Sequence, residues 1–237
     1  MAIYTKKEKI KYLDVDKNNK LTNRAILNFM QDVAGAHAES LHDGLNDKEI
    51  IKTAWIILNW KLEVLKRPKY NEELEISTWV SNIDKYFLLR EFEVKCKKKI
   101  IARASSRWVL TDTNNSRLTK IPDETIKKYK ANGNNIFKIE DKIREPENLK
   151  LMYEETVGRT KIDTNNHLNN IYYLDLAVES LPEEVYEKEE LNNIEIIYKK
   201  ASKYKEKLKC FYSKEANKHI IAIKGEKDDL HGIIKTW

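Results

Sequence analysis

The sequence predicts an α+β protein in which an antiparallel sheet packs on a helix, and it predicts that arrangement twice in tandem. Three observations carry this. A long stretch with helical periodicity is followed by four strand-like runs. A similar order of elements begins again near residue 149. A short polar motif occupies the same place in both halves, "DKNNKLTN" at 16–23 and "DTNNHLNN" at 163–170.

Residues 22–42 read as the first helix. Thr22 or Asn23 is a good N-cap, and Ala25/Ile26, Phe29/Met30, Val33/Ala34 and His37 recur at helical spacing. The strand patterns follow. "AWIILNWKLEVL" begins apolar on both faces and then alternates through Trp60, Leu62 and Val64. "ELEISTWVS" and "YFLLREFEVKC" alternate as well, and residues 100–111 form a fourth candidate. One helix followed by several such runs suits a sheet packed on the helix.

After Pro122 the pattern weakens, and the segment to about residue 148 reads as a connection. The expected division is therefore a first domain at 1–130, a linker at 131–148 and a second domain at 149–237. In the second half "YEETVGRTKID" reads as a strand. Residues 170–181 read as a helix, with Ile171, Leu174, Val178 and Leu181 on one face, Asn169 or Asn170 as cap and Pro182 as stop. "LNNIEIIYKKAS", "EKLKCFYSKE", "KHIIAIKGE" and "HGIIKTW" are strand-like.

The two polar motifs share their aspartate, both central asparagines, the leucine and the final asparagine, which points to an internal duplication. They differ where chemistry is most sensitive. Lys20 stands where the second copy has His167. A histidine exchanges protons near neutral pH and an ordinary lysine does not. The second copy is therefore expected to carry a reaction, and the first to serve shape and substrate binding.

Composition narrows the classes. The 237 residues include 44 Lys plus Arg and 38 Asp plus Glu, a formal charge of +6. That balance favours anionic partners, but no aromatic-interleaved basic motif marks a nucleic-acid surface. Runs such as "KCKKKII" read as solvated faces. Cys96 and Cys210 have no metal-ligand spacing and are expected to be buried strand residues. The first sixteen residues lack the apolar core of a signal peptide, and no run approaches the roughly 18 apolar residues of a membrane span. The expectation is a cytoplasmic protein without membrane association.

The quoted motif and its flanks resemble those of the bacterial and plant acyl-[acyl-carrier-protein] thioesterases. The likeness runs through "FMQDVAGAHA", "AWIILNWKLEVLKRPKYNE", "STWVSNIDKYFLLREFEV" and "ARASSRWVLTDTNNSRLTKIP" in the first half. In the second it runs through "DTNNHLNNIYYLDL" and "IEIIYKKASKY". D-x-N-x-H-x-N-N-x-x-Y is specific with those flanks, whereas D-x-N-x-H alone is weak. The resemblance implies two tandem hot-dog domains, each an antiparallel sheet wrapped around a long helix. It implies hydrolysis of a fatty acyl thioester on the phosphopantetheine arm of acyl carrier protein, an acidic partner, with no cofactor and no metal.

By the same resemblance Asp163, Asn165 and His167 stand for the catalytic acid, amide and histidine. Asn169, Asn170 and Tyr173 are expected near the substrate, and Met30, Ala34, Trp55 and Ile57 are expected along the acyl tunnel. Backbone amides at the start of the second helix are candidates for oxyanion stabilisation. Two fused hot-dog units would form a pseudo-dimer, as a monomer or as a homodimer of it.

One departure stands out. Where the family carries an acid in a pattern like Y-x-K-E, this chain has Ala201, followed by Ser202 in a place that is cysteine in plant members. Glu195 or Glu206 is the alternative acid. Acyl-coenzyme A hydrolysis, or weak or non-catalytic acyl-thioester binding, are the rival functions. His37 reads as a packed helix residue. His42, His219 and His231 read as surface or strand-edge residues. Ser202 lacks the context of a serine nucleophile.

Overall fold

The computed structural model describes residues 3–115 and 117–237, with Lys48 and Glu49 described by backbone alone. The chain divides into two compact units, Met1–Ile139 and Glu140–Trp237.

The first unit contains β1 (Tyr4–Lys9), a 3-10 turn (Tyr12–Asp14), α1 (Asn23–Ser40), α2 (Lys48–Ile51), β2 (Thr53–Val64), β3 (Glu73–Ile83), β4 (Phe87–Cys96), β5 (Lys99–Asp112), β6 (Leu118–Thr119) and α3 (Asp123–Tyr129). Its sheet runs β1-β3-β4-β5-β2, every pair antiparallel, with β6 added to β5. Helix α1 starts where Thr22 Oγ1 accepts the Ala25 amide at 3.1 Å, a cap worth about 1 kcal/mol. Its buried face includes Ala25, Ile26, Phe29, Met30, Val33, Ala34, His37 and Ala38, and it packs on β3 and β1.

The mixed start of β2 has a geometric cause. A bulge between Ile57 and Asn59 shifts the register against β5, so the inward positions change phase before Trp60. The lysine run between β4 and β5 is a tight two-residue turn. Lys97 and Lys98 both take positive φ, 50° and 66°, the geometry that matches strand twist.

Two features lie where the sequence suggested only a connection. Helix α3 follows Pro122 and buries Thr125 and Tyr129; two inward residues are too few to give a periodic signal. The segment beyond it is tied to the first sheet. Asn132 and Gly133 donate to the carbonyls of Val80 and Ser81. The Ile136 amide donates to the Glu91 carboxylate at 3.1 Å, and the Phe137 amide to Ser105 Oγ at 3.0 Å. Further along, Ile143 packs on Ile197, Ile220 and Ile233, and Glu145 pairs with Lys224, all in the second unit.

The buried cluster around Arg90 in the first unit is paired, as burial requires. Arg90 Nη1 donates to His37 Nδ1 at 3.0 Å and lies over the Tyr129 ring. Tyr129 Oη and Trp55 Nε1 both donate to Asp43, at 2.8 and 2.7 Å. A guanidinium cannot accept a hydrogen bond, so His37 Nδ1 is the acceptor and the ring is neutral. Burial, then the Arg90 charge, hold the His37 pKa down at about 4.

The second unit contains β7 (Lys150–Thr156), a 3-10 turn (Arg159–Lys161), α4 (Ile171–Glu179), α5 (Glu183–Lys188), β8 (Asn193–Tyr198), β9 (Lys207–Glu215), β10 (Lys218–Lys224) and β11 (Leu230–Thr236). Its strands run β8-β11-β10-β9-β7, again antiparallel. The core is rich in isoleucine, with Ile194, Ile196, Ile221, Ile223, Ile233 and Ile234 buried. Helix α4 has nine residues, half the length of α1. Ser180 Oγ turns back onto the Leu176 carbonyl at 2.6 Å, and Pro182 opens α5. Val178, expected on the inner face, lies within α4 but is exposed, because the buried face turns through Tyr173, Leu174, Leu176 and Ala177 instead. Among the described residues no helix is long and apolar enough to cross a membrane.

Candidate active site

Between the 3-10 turn of the second unit and α4 the chain makes a narrow loop. Ile162 and Leu168 form an antiparallel bridge at its base. The Asp163 amide donates to the His167 carbonyl at 2.8 Å, and Asn166 turns the chain at φ 61°, a conformation asparagine tolerates. Asp163 Oδ1 accepts the amides of Asn165 at 2.8 Å and His167 at 3.2 Å. The loop is thus built on one carboxylate oxygen, an Asx turn extended by one further bond.

The first unit repeats this geometry. Val15 and Leu21 form the bridge. Asp16 Oδ1 accepts the amides of Asn18 at 2.9 Å and Lys20 at 2.8 Å. Asn19 turns at φ 59°, and the Asp16 amide donates to the Lys20 carbonyl at 2.9 Å. The shared aspartate and asparagine therefore have a conformational reason independent of chemistry. Within the motif the copies differ at Lys17/Thr164, Lys20/His167 and Thr22/Asn169, and of these only the second pair places an imidazole in one copy.

Asp163, Asn165 and His167 are half-buried, and the loop brings all three together. Among the described residues no side chain hydrogen-bonds the His167 ring. At the start of α4 the amides of Ile171, Tyr172 and Tyr173 are engaged. Asn169 Oδ1 accepts the Ile171 amide at 3.0 Å, so Asn169 is the side-chain cap. The Tyr172 and Tyr173 amides donate to the carbonyls of Asn169 and Asn170. Those helix-start amides, expected as oxyanion donors, already have acceptors. Asn170 gives its carbonyl to Tyr198 Oη at 3.0 Å.

Tyr173, expected among the substrate contacts, is buried, and its hydroxyl is occupied. Tyr173 Oη and Ser202 Oγ share a hydrogen bond at 2.8 Å, and Tyr173 Oη also reaches the Lys200 carbonyl at 3.2 Å. Burial pushes its pKa up to about 12. Ser202 Oγ is 2.7 Å from His231 Nδ1, and His231 Nε2 is 3.1 Å from Asp229 Oδ2 and 3.5 Å from Glu206 Oε1. Lys200 pairs with the same Asp229 oxygen. Serine, histidine and aspartate are in line, but Ser202 is inaccessible, with 0% relative exposure, so this is a buried brace and not a nucleophile.

Beside the brace Lys200, Ala201, Lys203, Tyr204, Lys205 and Glu206 line an open concavity of about 440 Å³. Arg159 donates to Tyr204 Oη at 2.9 Å and lies over its ring. The wall is basic.

Family comparison decides the relationship. The model of the acyl-ACP thioesterase N-terminal domain matches residues 1–129, and that of the C-terminal domain matches residues 144–232. The chain belongs to the acyl-ACP thioesterase family. It is 25% identical over 242 residues to an oleoyl-acyl carrier protein thioesterase of Coriandrum sativum, covering 93% of this chain and 65% of that protein. It is 27% identical over 194 residues to a dodecanoyl-[acyl-carrier-protein] hydrolase of Cinnamomum camphora, covering 74% and 50%. The chain thus spans about half to two thirds of the length of these relatives. Among solved structures it is similar to an acyl-ACP thioesterase from Bacteroides thetaiotaomicron, with TM-score 0.89, 23% identity and 99% and 96% of the two chains covered. The 12:0-ACP thioesterase from Umbellularia californica superposes with TM-score 0.84 at 20% identity, covering 99% and 96%. The two hot-dog units expected from the sequence are this fold.

Ala201, where an acid is expected from the sequence, is an exposed methyl next to the brace. Of the two alternative acids, Glu195 on β8 is buried and paired with Lys235 of β11. Glu206 is half-buried, takes the Lys203 amide at 2.8 Å and faces His231. Met30 and Ala34 lie on the buried face of α1. Ile57 is buried on β2, and Trp55 on the same strand sets its ring edge against Tyr129. These four belong to the first unit. His231, read from sequence as a surface or strand-edge residue, is buried, as is His219 between Tyr212 and Glu189. The available signal for His231 was its neighbour Gly232, whose missing Cβ leaves room for Tyr173.

Proposed function

We propose that this chain hydrolyses fatty acyl thioesters carried on acyl carrier protein, giving free fatty acid and the carrier's thiol. The observation that carries the reading is the pair of matching loops. Two loops share one backbone geometry, and only the second presents an imidazole, at the position that closes the loop opposite Asp163.

In this reading His167 takes a proton from water as the water oxygen attacks the thioester carbonyl carbon. The tetrahedral oxyanion then collapses, the carbon–sulfur bond breaks, and the imidazolium returns the proton to the leaving thiolate. The Asn165 carboxamide holds the carbonyl oxygen or the water. Asp163 acts by holding the loop, the task that Asp16 performs in a copy without a histidine. The basic concavity beside the Ser202–His231 brace suits an anionic partner, either the phosphate of the pantetheine arm or the acidic carrier itself. A second reading, weak hydrolysis or non-catalytic binding of acyl thioesters, is favoured by Ala201, whose methyl cannot activate water.

The test is hydrolysis of a chain-length panel on carrier protein and on coenzyme A, at several salt concentrations. A protein partner predicts that KM for the carrier-borne substrate rises with salt more than KM for the coenzyme A ester, because attraction between separated charges is screened over roughly 8–10 Å. Equal salt responses, or preference for coenzyme A at low salt, count against the carrier. Saturable binding without turnover on either carrier favours the second reading.

A further inference from the structure

The Ser202–His231 brace is joined to the loop that carries His167. The Leu168 amide, next to His167, donates to the Ser202 carbonyl at 2.8 Å. The segment 199–202 belongs to no helix or strand and is held by β11 and by α4. From β11 the His231 carbonyl accepts the amides of Lys199 at 2.8 Å and Lys200 at 3.1 Å. From α4 Tyr173 reaches the Lys200 carbonyl and Ser202 Oγ. From the same β11 residue His231 Nδ1 meets Ser202 Oγ.

The first unit supplies a contrast. There the Leu21 amide donates to the carbonyl of Pro68 at 2.9 Å, and Arg67 Nη1 donates to the Leu21 carbonyl at 2.9 Å. Pro68 has no polar side chain to link the anchor to anything else. Both loops have an anchoring carbonyl, and only the copy with the histidine joins that anchor to a chain of hydroxyl groups ending on a second histidine.

We propose that Ser202, oriented by His231, is a positioning residue for His167, and that the protonation of His231 sets how the anchor is held. The groups facing His231 are Ser202, Asp229 and Glu206; Lys200 stands behind Asp229, and Tyr173 stands behind Ser202. With His231 neutral, Nε2–H donates to the carboxylates and Nδ1 accepts from the Ser202 hydroxyl. Ser202 Oγ then accepts from Tyr173 Oη–H. With His231 protonated, Nδ1–H donates to Ser202 Oγ. The Ser202 hydroxyl turns to Tyr173 Oη, and Tyr173 Oη–H turns to the Lys200 carbonyl. One proton reverses the His231–Ser202 and Ser202–Tyr173 hydrogen bonds and moves the Tyr173 hydroxyl proton to the Lys200 carbonyl, while His231 Nε2 donates to the carboxylates in both states.

This inference rests on the hydrolase reading for its kinetic arm but has a second arm that does not. Ser202→Ala is expected to lower kcat roughly 10- to 100-fold, the range a displaced catalytic group costs, with KM nearly unchanged and the Leu168 amide exchanging faster in deuterium. Ser202→Cys, which keeps a donor of similar size, is expected to recover part of both. His231→Asn, which retains an acceptor near the Nδ1 position and cannot titrate, is expected to keep kcat near neutral pH and to lose one limb of the pH–kcat profile. Wild-type kcat and Leu168 exchange in folded Ser202→Ala would overturn the proposal, as would an unchanged pH profile in His231→Asn. If the wild type hydrolyses no acyl thioester, the hydrolase reading falls. Leu168 exchange in wild type, Ser202→Ala and His231→Asn, measured across pH and corrected for intrinsic exchange, then decides the positioning claim by itself.

Discussion

Asp163 and His167 are joined twice through the backbone. The Asp163 carboxylate accepts the His167 amide at 3.2 Å, and the Asp163 amide donates to the His167 carbonyl at 2.8 Å. Asp16 and Lys20 are joined in the same two ways. The aspartate is thus a loop former in both units, and the histidine opposite it occurs in one.

The first prediction follows directly. Asp16→Ala and Asp163→Ala each remove an acceptor of two backbone amides, and each should lower stability by about 1 kcal/mol. Only Asp163→Ala should lower kcat, by roughly 10-fold or more, because it loosens the loop under His167. Asp163→Asn keeps an acceptor and should recover most of the stability. Denaturant melts paired with steady-state rates check this; equal kinetic losses at both sites would contradict it.

The buried pair His37–Arg90 gives a pH prediction. The folded pKa of His37, about 4, lies below its ordinary value of 6.5. The unfolded chain therefore binds more protons between those values, and stability is lost as pH falls from about 6.5 through about 4, by at most about 3 kcal/mol. His37→Asn keeps an acceptor for Arg90 and cannot protonate, so its stability should change less over that window. Urea midpoints at pH 7, 5.5 and 4.5 test it; parallel curves for the two proteins would refute the assignment.

Gly232 makes room for the brace. A Cβ there would lie 3.0 Å from Tyr173 Cδ1 and 3.3 Å from Cε1, with the Ile197 carbonyl at 3.5 Å. Gly232→Ala should destabilise by about 1–3 kcal/mol through overpacking and should perturb Tyr173 Oη against Ser202. An unchanged melting temperature would show that α4 shifts freely, against the close packing described here.

Ala201 is exposed and directly precedes Ser202, so a longer side chain meets open space. Ala201→Glu should raise kcat more than it changes KM, since a positioned base is typically worth about 10²–10⁴-fold and acts in the transition state. A folded variant with unchanged or lower kcat would show that this chain does not use an acid at that position.

Much of this architecture was legible in the sequence, for physical reasons that differ by element. Alternation in β3 and β4 reports a sheet with one buried face, and Thr22 reports the start of α1. The matching loops were visible because the aspartate and asparagine that build them are themselves the motif. What escaped notice is held by contacts without local periodicity. Helix α3 turns only two residues inward. The segment 132–137 is fixed by its backbone amides and carbonyls to Val80, Ser81, Glu91 and Ser105. His231 and Ser202 are 29 residues apart, and β11 brings them together. Tyr173 was expected among the substrate contacts, and the structure gives its hydroxyl to Ser202 and the Lys200 carbonyl.

The central claim is that one of two matching loops carries the chemistry, through His167. The most direct measurement is kcat of His167→Ala and Lys20→Ala on the same acyl-carrier substrate, with thermal melts to show that both are folded. The account predicts that His167→Ala loses at least roughly 10²-fold, the range for a general acid–base group, and that Lys20→Ala stays near the wild-type rate. Near-wild-type turnover in a folded His167→Ala protein, or a loss of the same size in Lys20→Ala, would contradict it.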